Sequence, residues 1–168
     1  MLETIHDFKE DAKRYIDLFN AFTGKHNLTD KAQADHICYK CGSKESFEQL
    51  RVLFESNSSW IYQSIISNRR IAYIKLAEGI ESALGTIHFL ELSDQKPDGS
   101  QHDGFDHIEA YPTAYSYEEM VRELESSEKV LKIERPHHTT HDIDIGDKFL
   151  FRCTQGPLVE KIKSTEMI

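Results

Sequence analysis

Two histidines and two glutamates occupy matching places in the two halves of this 168-residue chain. The tripeptide Asp-His-Ile occurs at residues 35–37 and again at 106–108, so His36 and His107 hold the same position in each copy. Glu91 follows the first histidine by 55 residues, and Glu160 follows the second by 53. Two imidazoles and two carboxylates can ligate zinc, nickel, manganese or iron without selecting among them. The pattern predicts one divalent-metal site built from both halves.

Strand alternation decides which of these side chains can meet, because successive residues of a strand point to opposite faces of a sheet. Glu160 shares its predicted face with Leu158, and Glu91 shares its face with Phe89. Each carboxylate therefore points to an apolar surface, where it needs a cation or a hydrogen-bond donor. His88 lies on the opposite face of the strand that carries Glu91, and a β-bulge would exchange their roles. We expect Glu91 to be the ligand.

Further side chains on the predicted strands are candidates for chemistry beside the metal. Glu109 lies two residues from His107 on the same predicted face. It is either a general base for a metal-bound substrate or a partner that orients an imidazole. Tyr39, Tyr73 and Arg152 lie on strands that can line the same cavity, and an arginine would suit a carboxylate-bearing substrate. These three residues receive no assigned role.

Two other clusters contain potential ligands that we do not expect to form metal motifs of their own. Cys38 and Cys41 form a Cys-x-x-Cys spacing, but alternation divides the pair between two faces of a strand, which favours two separate thiols. His137, His138 and His141 precede or begin a strand and are interleaved with two threonines. We expect a solvated loop there, with His141 the member that enters the cavity.

The elements that would position these residues follow the order β-α-β-β-β in each half, the mark of an internal repeat. An amphipathic helix is expected at 4–23. The first half has predicted strands at 34–41, 60–66, 71–76 and 86–92 and a helix at 43–56. The second has predicted strands at 106–112, 141–145, 148–153 and 157–163 and a helix that starts with the Ser-x-x-Glu capping pattern at 116–119. The fold class is α+β, with a helical extension at 1–33 and modules at 34–95 and 105–165 that form a single domain.

Composition limits the environment and the partners. A net charge of −9 opposes binding to nucleic acid and to anionic membrane surfaces. The sequence has no apolar run of about 20 residues that could cross a bilayer, and its first residues do not have the order of a secretory signal. Three cysteines without an export signal favour reduced thiols. We therefore expect a cytoplasmic protein, monomeric or homodimeric, since one chain already contains both halves of the site.

Three short runs resemble the YecM-like branch of the vicinal oxygen chelate superfamily. They are Ala-Asp-His-Ile at 34–37, Gly-Phe-Asp-His-Ile-Glu at 104–109 and Pro-Leu-Val-Glu at 157–160. The resemblance implies two βαβββ modules that form a cup-shaped mixed sheet, with metal ligands from the first and last strand of each module. In this sequence those ligands are His36, Glu91, His107 and Glu160.

The superfamily contains lyases, epimerases, ring-cleaving dioxygenases and antibiotic-resistance proteins, together with members that only bind ligands, so the fold does not determine the reaction. The resemblance implies a metal-dependent isomerase, lyase or dioxygenase that acts on a small, oxygen-rich substrate. The alternative is a non-catalytic protein of the same fold that binds a small ligand or a metal.

Overall fold

The computed structural model describes residues 2–135 and 138–166. The helices are α1 (Ile5–Lys25), α2 (Lys44–Glu55), α3 (Tyr117–Glu125) and α4 (Leu158–Glu166). The strands are β1 (Ala32–Lys40), β2 (Ile61–Ile66), β3 (Arg69–Ser82), β4 (Gly85–Ser93), β5 (Gly104–Pro112), β6 (Leu131–Glu134), β7 (Thr139–Asp144) and β8 (Leu150–Cys153). The expected order β-α-β-β-β is confirmed in both halves, after an N-terminal helix.

The eight strands form one mixed sheet in the order β2-β3-β4-β1-β5-β8-β7-β6. The first strands of the two halves, β1 and β5, lie side by side and antiparallel at its centre. Each of them is also parallel to the last strand of its own half, β1 to β4 and β5 to β8. The two halves therefore have the same internal pairing, and the α+β fold class of paired βαβββ modules is confirmed.

A row of paired aliphatic and aromatic residues crosses the helix-covered face of the sheet. The row is Ile74, Leu90, Ile37, Ile108, Phe151 and Ile143, each paired with the next. All six are at most 1% exposed. Full burial of such side chains contributes about 1.5–3 kcal/mol each. The face of the sheet opposite this helix-covered face is called the cup. Because residues one position away along each strand point to the opposite face, this row determines which side chains face the cup.

Helices α1, α2 and α3 pack against this apolar face. Phe19 and Phe22 of α1 contact Phe151 at ring-centroid distances of 5.5 and 4.8 Å. Thr4 begins α1 through a reciprocal capping box with Asp7, which satisfies two backbone donors that the helix cannot bond internally. None of the helices in the described part of the chain is both long and apolar enough to span a membrane.

The structure corrects the prediction of two elements near the C-terminus. Residues 157–163, expected to be the last strand, contain the start of helix α4. Leu158 and Ile162 are four residues apart, so this short run fits a helical period as well as an alternating one. Strand β6 was not predicted, because it has only four residues and lies at the sheet edge with Leu131 54% exposed. The last strand of the second half is therefore β8.

Candidate metal centre

Three of the four predicted ligands converge on the face of the sheet opposite to α1. His36 on β1 and His107 on β5 are 0% and 1% exposed, and their rings lie 5.8 Å apart in an edge-to-face arrangement. Glu91 on β4 places Oε2 3.1 Å from His36 Nε2. One potential ligand atom from each of the three lies within 4.8 Å of the others. The set has the composition of the 2-His-1-carboxylate sites that bind transition metals with open positions.

A β-bulge beside each histidine brings the preceding aspartate onto its ring. Where β1 pairs with β5, Asp35 and Asp106 each interrupt the regular register, one on each strand. Asp35 Oδ2 lies 2.6 Å from His36 Nδ1, and Asp106 Oδ2 lies 2.8 Å from His107 Nδ1. A carboxylate on Nδ1 fixes the ring orientation and leaves Nε2 to bind a metal. Strict alternation placed these aspartates on the other face, so the sequence analysis did not identify them.

The Nε2 atom of His36 is buried and forms no hydrogen bond to any described residue. Glu91 Oε2 at 3.1 Å and Glu109 Oε2 at 3.4 Å are at ion-pair distance from it. Burial lowers the pKa of His36, but Glu109, Asp35 and Glu91 outweigh that effect and raise the pKa well above its ordinary value. The surrounding carboxylates therefore favour a positive charge at this point. Either a proton or a metal cation meets that demand.

His107 has a different environment, because its Nε2 faces an arginine. Arg152 Nη1 lies 3.1 Å away and donates to the ring. Burial lowers the pKa of His107, and the positive charge of Arg152 lowers it further. The imidazole is therefore neutral, with a lone pair on Nε2 of the kind that a metal requires.

The charges around the two rings leave an excess of two negative charges when both imidazoles are neutral. Five carboxylates take part, namely Asp35, Glu91, Asp106, Glu109 and Asp142. Three permanent cations accompany them, namely Lys40, Arg135 and Arg152. A buried excess charge is costly unless a counter-ion is present. A protonated His36 compensates one of the two charges, and a divalent cation compensates both, so the donor set fits such an ion.

The structure does not bring Glu160 together with the other predicted ligands. It lies in α4, where its residue is exposed, and it belongs to none of the ligand clusters among the described residues. The prediction depended on a strand at 157–163 that the structure replaces with a helix. Strand pairing identifies another counterpart: Glu91 pairs with Cys38, two residues after His36, and Arg152 pairs with Glu109, two residues after His107.

The positions of the side chains bear on two alternatives that concern glutamates. His88, the rival of Glu91, is exposed and belongs to none of the described ligand clusters. Glu109 lies on β5 and pairs with His36 on β1. It is only 5% exposed. Its carboxylate is therefore close enough to act on a ligand or to orient His36.

Of the other candidates on the strands, Tyr73 and Arg152 face the cup, and Tyr39 does not. Tyr73 donates to Asp35 Oδ2 at 3.3 Å and packs edge-on against His36 at 5.3 Å. Tyr39 lies in the hydrophobic core, with its ring 5.1 Å from Phe105. Tyr39 lies an odd number of residues after His36 on β1, so strand alternation directs its side chain to the face opposite that of His36.

The histidine cluster and the cysteines lie where their strands direct them. His141 was expected to enter the cavity, and this is wrong, because its Nδ1 lies 2.6 Å from the hydroxyl of Tyr117 on α3, at the helix-covered face. His138 is partly buried just before β7, and His137 lies outside the described residues. Cys38 and Cys41 are both buried and free, with Cys38 Sγ 3.6 Å from Glu91 Oε1 and Cys41 in the core. Burial raises the pKa of both thiols.

Sequence reasoning also missed Asp142, which anchors Arg152. Asp142 on β7 accepts from Nε and Nη2 of this arginine at 2.8 and 3.0 Å, and it is 6% exposed. No motif marks it in the sequence. The repeated Asp-His dipeptide, in contrast, was a signal that could have identified Asp35 and Asp106 as partners of the imidazoles.

Comparison with known proteins gives a consistent family and fold. The family described as "YecM protein" matches residues 4–147. Protein YecM of Escherichia coli (strain K12) is 26% identical over 109 residues, 64% of this chain, and the match spans 58% of that protein's length. A solved structure titled "Structural Genomics, Protein EC4020" superposes with a TM-score of 0.76 and 22% identity, over 95% of this chain and 92% of its own. Methylmalonyl-CoA epimerase of Streptomyces coelicolor superposes with a TM-score of 0.48 and 15% identity, over 74% of this chain and 94% of its own.

Proposed function

This chain belongs to the YecM family, and we propose that it binds one divalent metal ion through His36, Glu91 and His107 and uses it to hold a small, oxygen-rich ligand. One observation carries the proposal. His36 Nε2 is fully buried without a hydrogen bond, while Asp35 holds the other nitrogen of the ring. When His36 is neutral, its Nε2 lone pair faces the carboxylates of Glu91 and Glu109 and has no donor. A buried acceptor without a donor costs about 1–3 kcal/mol, which ligation would remove.

The three ligands leave coordination positions for the substrate, as in catalytic metal sites. When bound, the ion would polarise an oxygen of the ligand and stabilise negative charge that develops there. Asp35 and Asp106 hold the two imidazoles in the orientation that directs Nε2 into the cup. The β-sheet supplies this rigidity, because all three ligands lie on paired strands.

Glu109 is the residue that we propose as the catalytic base. Its Oε2 lies 3.4 Å from His36 Nε2, so it borders the position that a ligand would occupy. A carboxylate there can accept a proton from a carbon or a hydroxyl group of the substrate and return it. This role fits an isomerase or a lyase, and the same ligand set also occurs in dioxygenases.

A second function, binding without turnover, would use the same buried ligands. The most exposed of the three ligand side chains, Glu91, is only 20% exposed. Glu109→Gln separates the two functions, because it preserves the size of the side chain and removes the base. Loss of turnover of about 100-fold or more with metal affinity retained identifies an enzyme. If no substrate among hydroxy acids, keto acids and diphenols is turned over by the metal-loaded wild type, the protein is a binding protein.

Equilibrium dialysis of the chelator-treated protein tests the metal site. Zn²⁺, Ni²⁺, Mn²⁺ and anaerobic Fe²⁺ would be offered in turn to the wild type and to the His36→Ala and His107→Ala variants. We expect one bound ion per chain for at least one metal and strongly weakened binding in both variants. Glu160→Gln is the matched control, and its affinity should equal that of the wild type within about twofold, since that residue is exposed on α4.

Two results would contradict the metal site. Failure of the wild type to bind any of the four ions would remove it outright. Undiminished binding in either histidine variant would show that the ion binds elsewhere. Circular dichroism of each variant would establish that the fold is preserved.

A further inference from the structure

Arg152 holds the place in the second module that Glu91 holds in the first. The two modules pair their first and last strands in the same parallel sense, and each of these residues lies opposite the position two beyond the histidine. A repeat that kept its symmetry would have a carboxylate at 152. The chain has a guanidinium there, which carries the opposite charge and cannot ligate a cation.

The orientation of this guanidinium is determined by Asp142. Nε and Nη2 of Arg152 donate to the two carboxylate oxygens of that residue, a fork-to-fork arrangement that fixes the plane of the group. Nη1, the nitrogen that Asp142 does not hold, donates to His107 Nε2 at 3.1 Å. Arg152 is nearly buried, with 12% of its side chain exposed, so water has little access to its N–H groups.

Metal binding would take away the acceptor of that N–H. The lone pair of His107 Nε2 is used either by the hydrogen bond or by a metal, and not by both. An Nη1–H group deprived of this acceptor in a buried site costs free energy until another acceptor arrives. An oxygen of a ligand held by the ion would lie near the same nitrogen and could accept this N–H. A negatively charged oxygen satisfies a guanidinium best.

We propose that Arg152 is the specificity residue of the cup and selects ligands that carry a carboxylate next to a second oxygen donor, as 2-hydroxycarboxylates do. The inference rests on the proposed metal site and adds the charge of the ligand to it. Neutral ligands with the same two oxygens would accept the N–H in a weaker hydrogen bond. A hydrogen bond to a charged group contributes about 1.5–3 kcal/mol, which corresponds to roughly 10–100-fold in affinity.

Calorimetric titration of the Co²⁺-loaded protein with glycolate and with glycolamide tests the inference. The two probes present the same pair of vicinal oxygens and differ in charge. We expect the wild type to prefer glycolate by at least about 10-fold. Arg152→Gln should abolish most of this preference, and Arg152→Lys should give an intermediate value, because it keeps the charge without the fork.

Arg135→Gln is the matched control. Arg135 Nη2 lies 3.7 Å from the same Asp142, but its own hydrogen bond is to Thr140 Oγ1. The substitution removes an equal charge from the neighbourhood, and we expect the preference for glycolate to change by less than about threefold. If Arg152→Gln and Arg135→Gln lose the preference for glycolate equally, the inference is overturned, because the preference would then come from the overall positive charge around the cup.

The remaining outcomes separate this inference from the metal site itself. A wild type that binds neither Co²⁺ nor any of the four ions offered in dialysis overturns the metal site and this inference with it. A wild type that binds Co²⁺ and takes glycolate and glycolamide equally overturns the inference alone. If Arg152→Gln is unfolded because it deprives the buried Asp142 carboxylate of its hydrogen-bonded cation, the double variant Asp142→Asn with Arg152→Gln removes that charge and carries the same expectation.

Discussion

Each imidazole at this site is held by the aspartate that precedes it in the chain. Neighbouring side chains of a regular strand point to opposite faces, so the contact between Asp106 and His107 requires the bulge that the structure has between β1 and β5. Burial would raise the pKa of Asp106, but the hydrogen bond from His107 and the ammonium of Lys40 beside it hold the pKa well below its ordinary value. The aspartate is therefore ionised and defines which ring nitrogen carries the proton.

Asp106→Asn should weaken metal binding by about 10–100-fold, as removal of a partner of a metal-ligating histidine typically does. The amide has nearly the same shape but no charge, so it fixes the ring less strongly. Competition with a chromophoric chelator measures the affinity. Asp98→Asn is the control, since Asp98 is exposed and bonds within its own loop to Ser100. Equal affinities in the two variants would show that the aspartate has no part in orienting His107.

Among the elements, α3 depends on the cap that its sequence predicted. Ser116 accepts from Glu119 N–H at 3.1 Å, and the Glu119 carboxylate accepts from Ser116 N–H at 3.1 Å. We expect Ser116→Ala to lower the free energy of unfolding by about 1 kcal/mol, because it leaves a backbone donor of the first turn without its partner. Urea unfolding followed by circular dichroism measures the change. Ser127→Ala, at an exposed position beyond α3, should change stability by less than about 0.5 kcal/mol, and a similar loss in both variants would contradict a specific role for the cap.

The central elements of the fold could be predicted because hydrophobic patterning and repetition agree there. β1 and β5 each contain Asp-His-Ile, and their apolar positions lie in the row that crosses the core. The C-terminal element could not be predicted in the same way. A short run with Leu158 and Ile162 is compatible with both periods, and what decides between them is tertiary. In the structure, the Leu158 N–H at the start of α4 donates to Asp35 Oδ2 at 3.3 Å.

The error over the fourth ligand has the same origin. Nearly equal spacing in the two halves pointed to Glu160, but the last strand of the second module begins earlier because the strands after its helix are shorter. Residues 131–153 contain β6, β7 and β8, whereas 61–93 contain their counterparts. Only the pairing of β5 with β8 shows that Arg152 takes the place of Glu91. The residue type at that position is a matter of function, which periodicity does not encode.

Helix α1 packs against both modules on the apolar face of the sheet, opposite the cup. Phe8 contacts Phe54 of the first module at 4.8 Å, and Phe22 contacts Phe151 of the second at 4.8 Å. The site needs both modules in a fixed relation, because its histidines belong to different halves. The apolar face that α1 covers is therefore a requirement for the site on the other side of the sheet.

Phe151→Ala should lower the free energy of unfolding by about 3–5 kcal/mol, since it removes a fully buried ring and leaves a cavity under α1. Chemical denaturation measures this, with Ile65→Ala as the control. Ile65 is 68% exposed at the edge strand β2, and its truncation should cost less than about 0.5 kcal/mol. A loss below about 1 kcal/mol for Phe151→Ala would contradict the packing of α1 on β8.

In the proposed site, one cation is shared by the two modules. Crystals soaked in Zn²⁺ or Co²⁺ and measured on both sides of the absorption edge of that metal test it most directly. We predict one anomalous peak per chain, about 2.0–2.2 Å from His36 Nε2, His107 Nε2 and a carboxylate oxygen of Glu91, with the hydrogen bond from Arg152 to His107 lost. A peak bound by residues of one module alone, or none at the cup in a protein that retains its fold, would contradict the account.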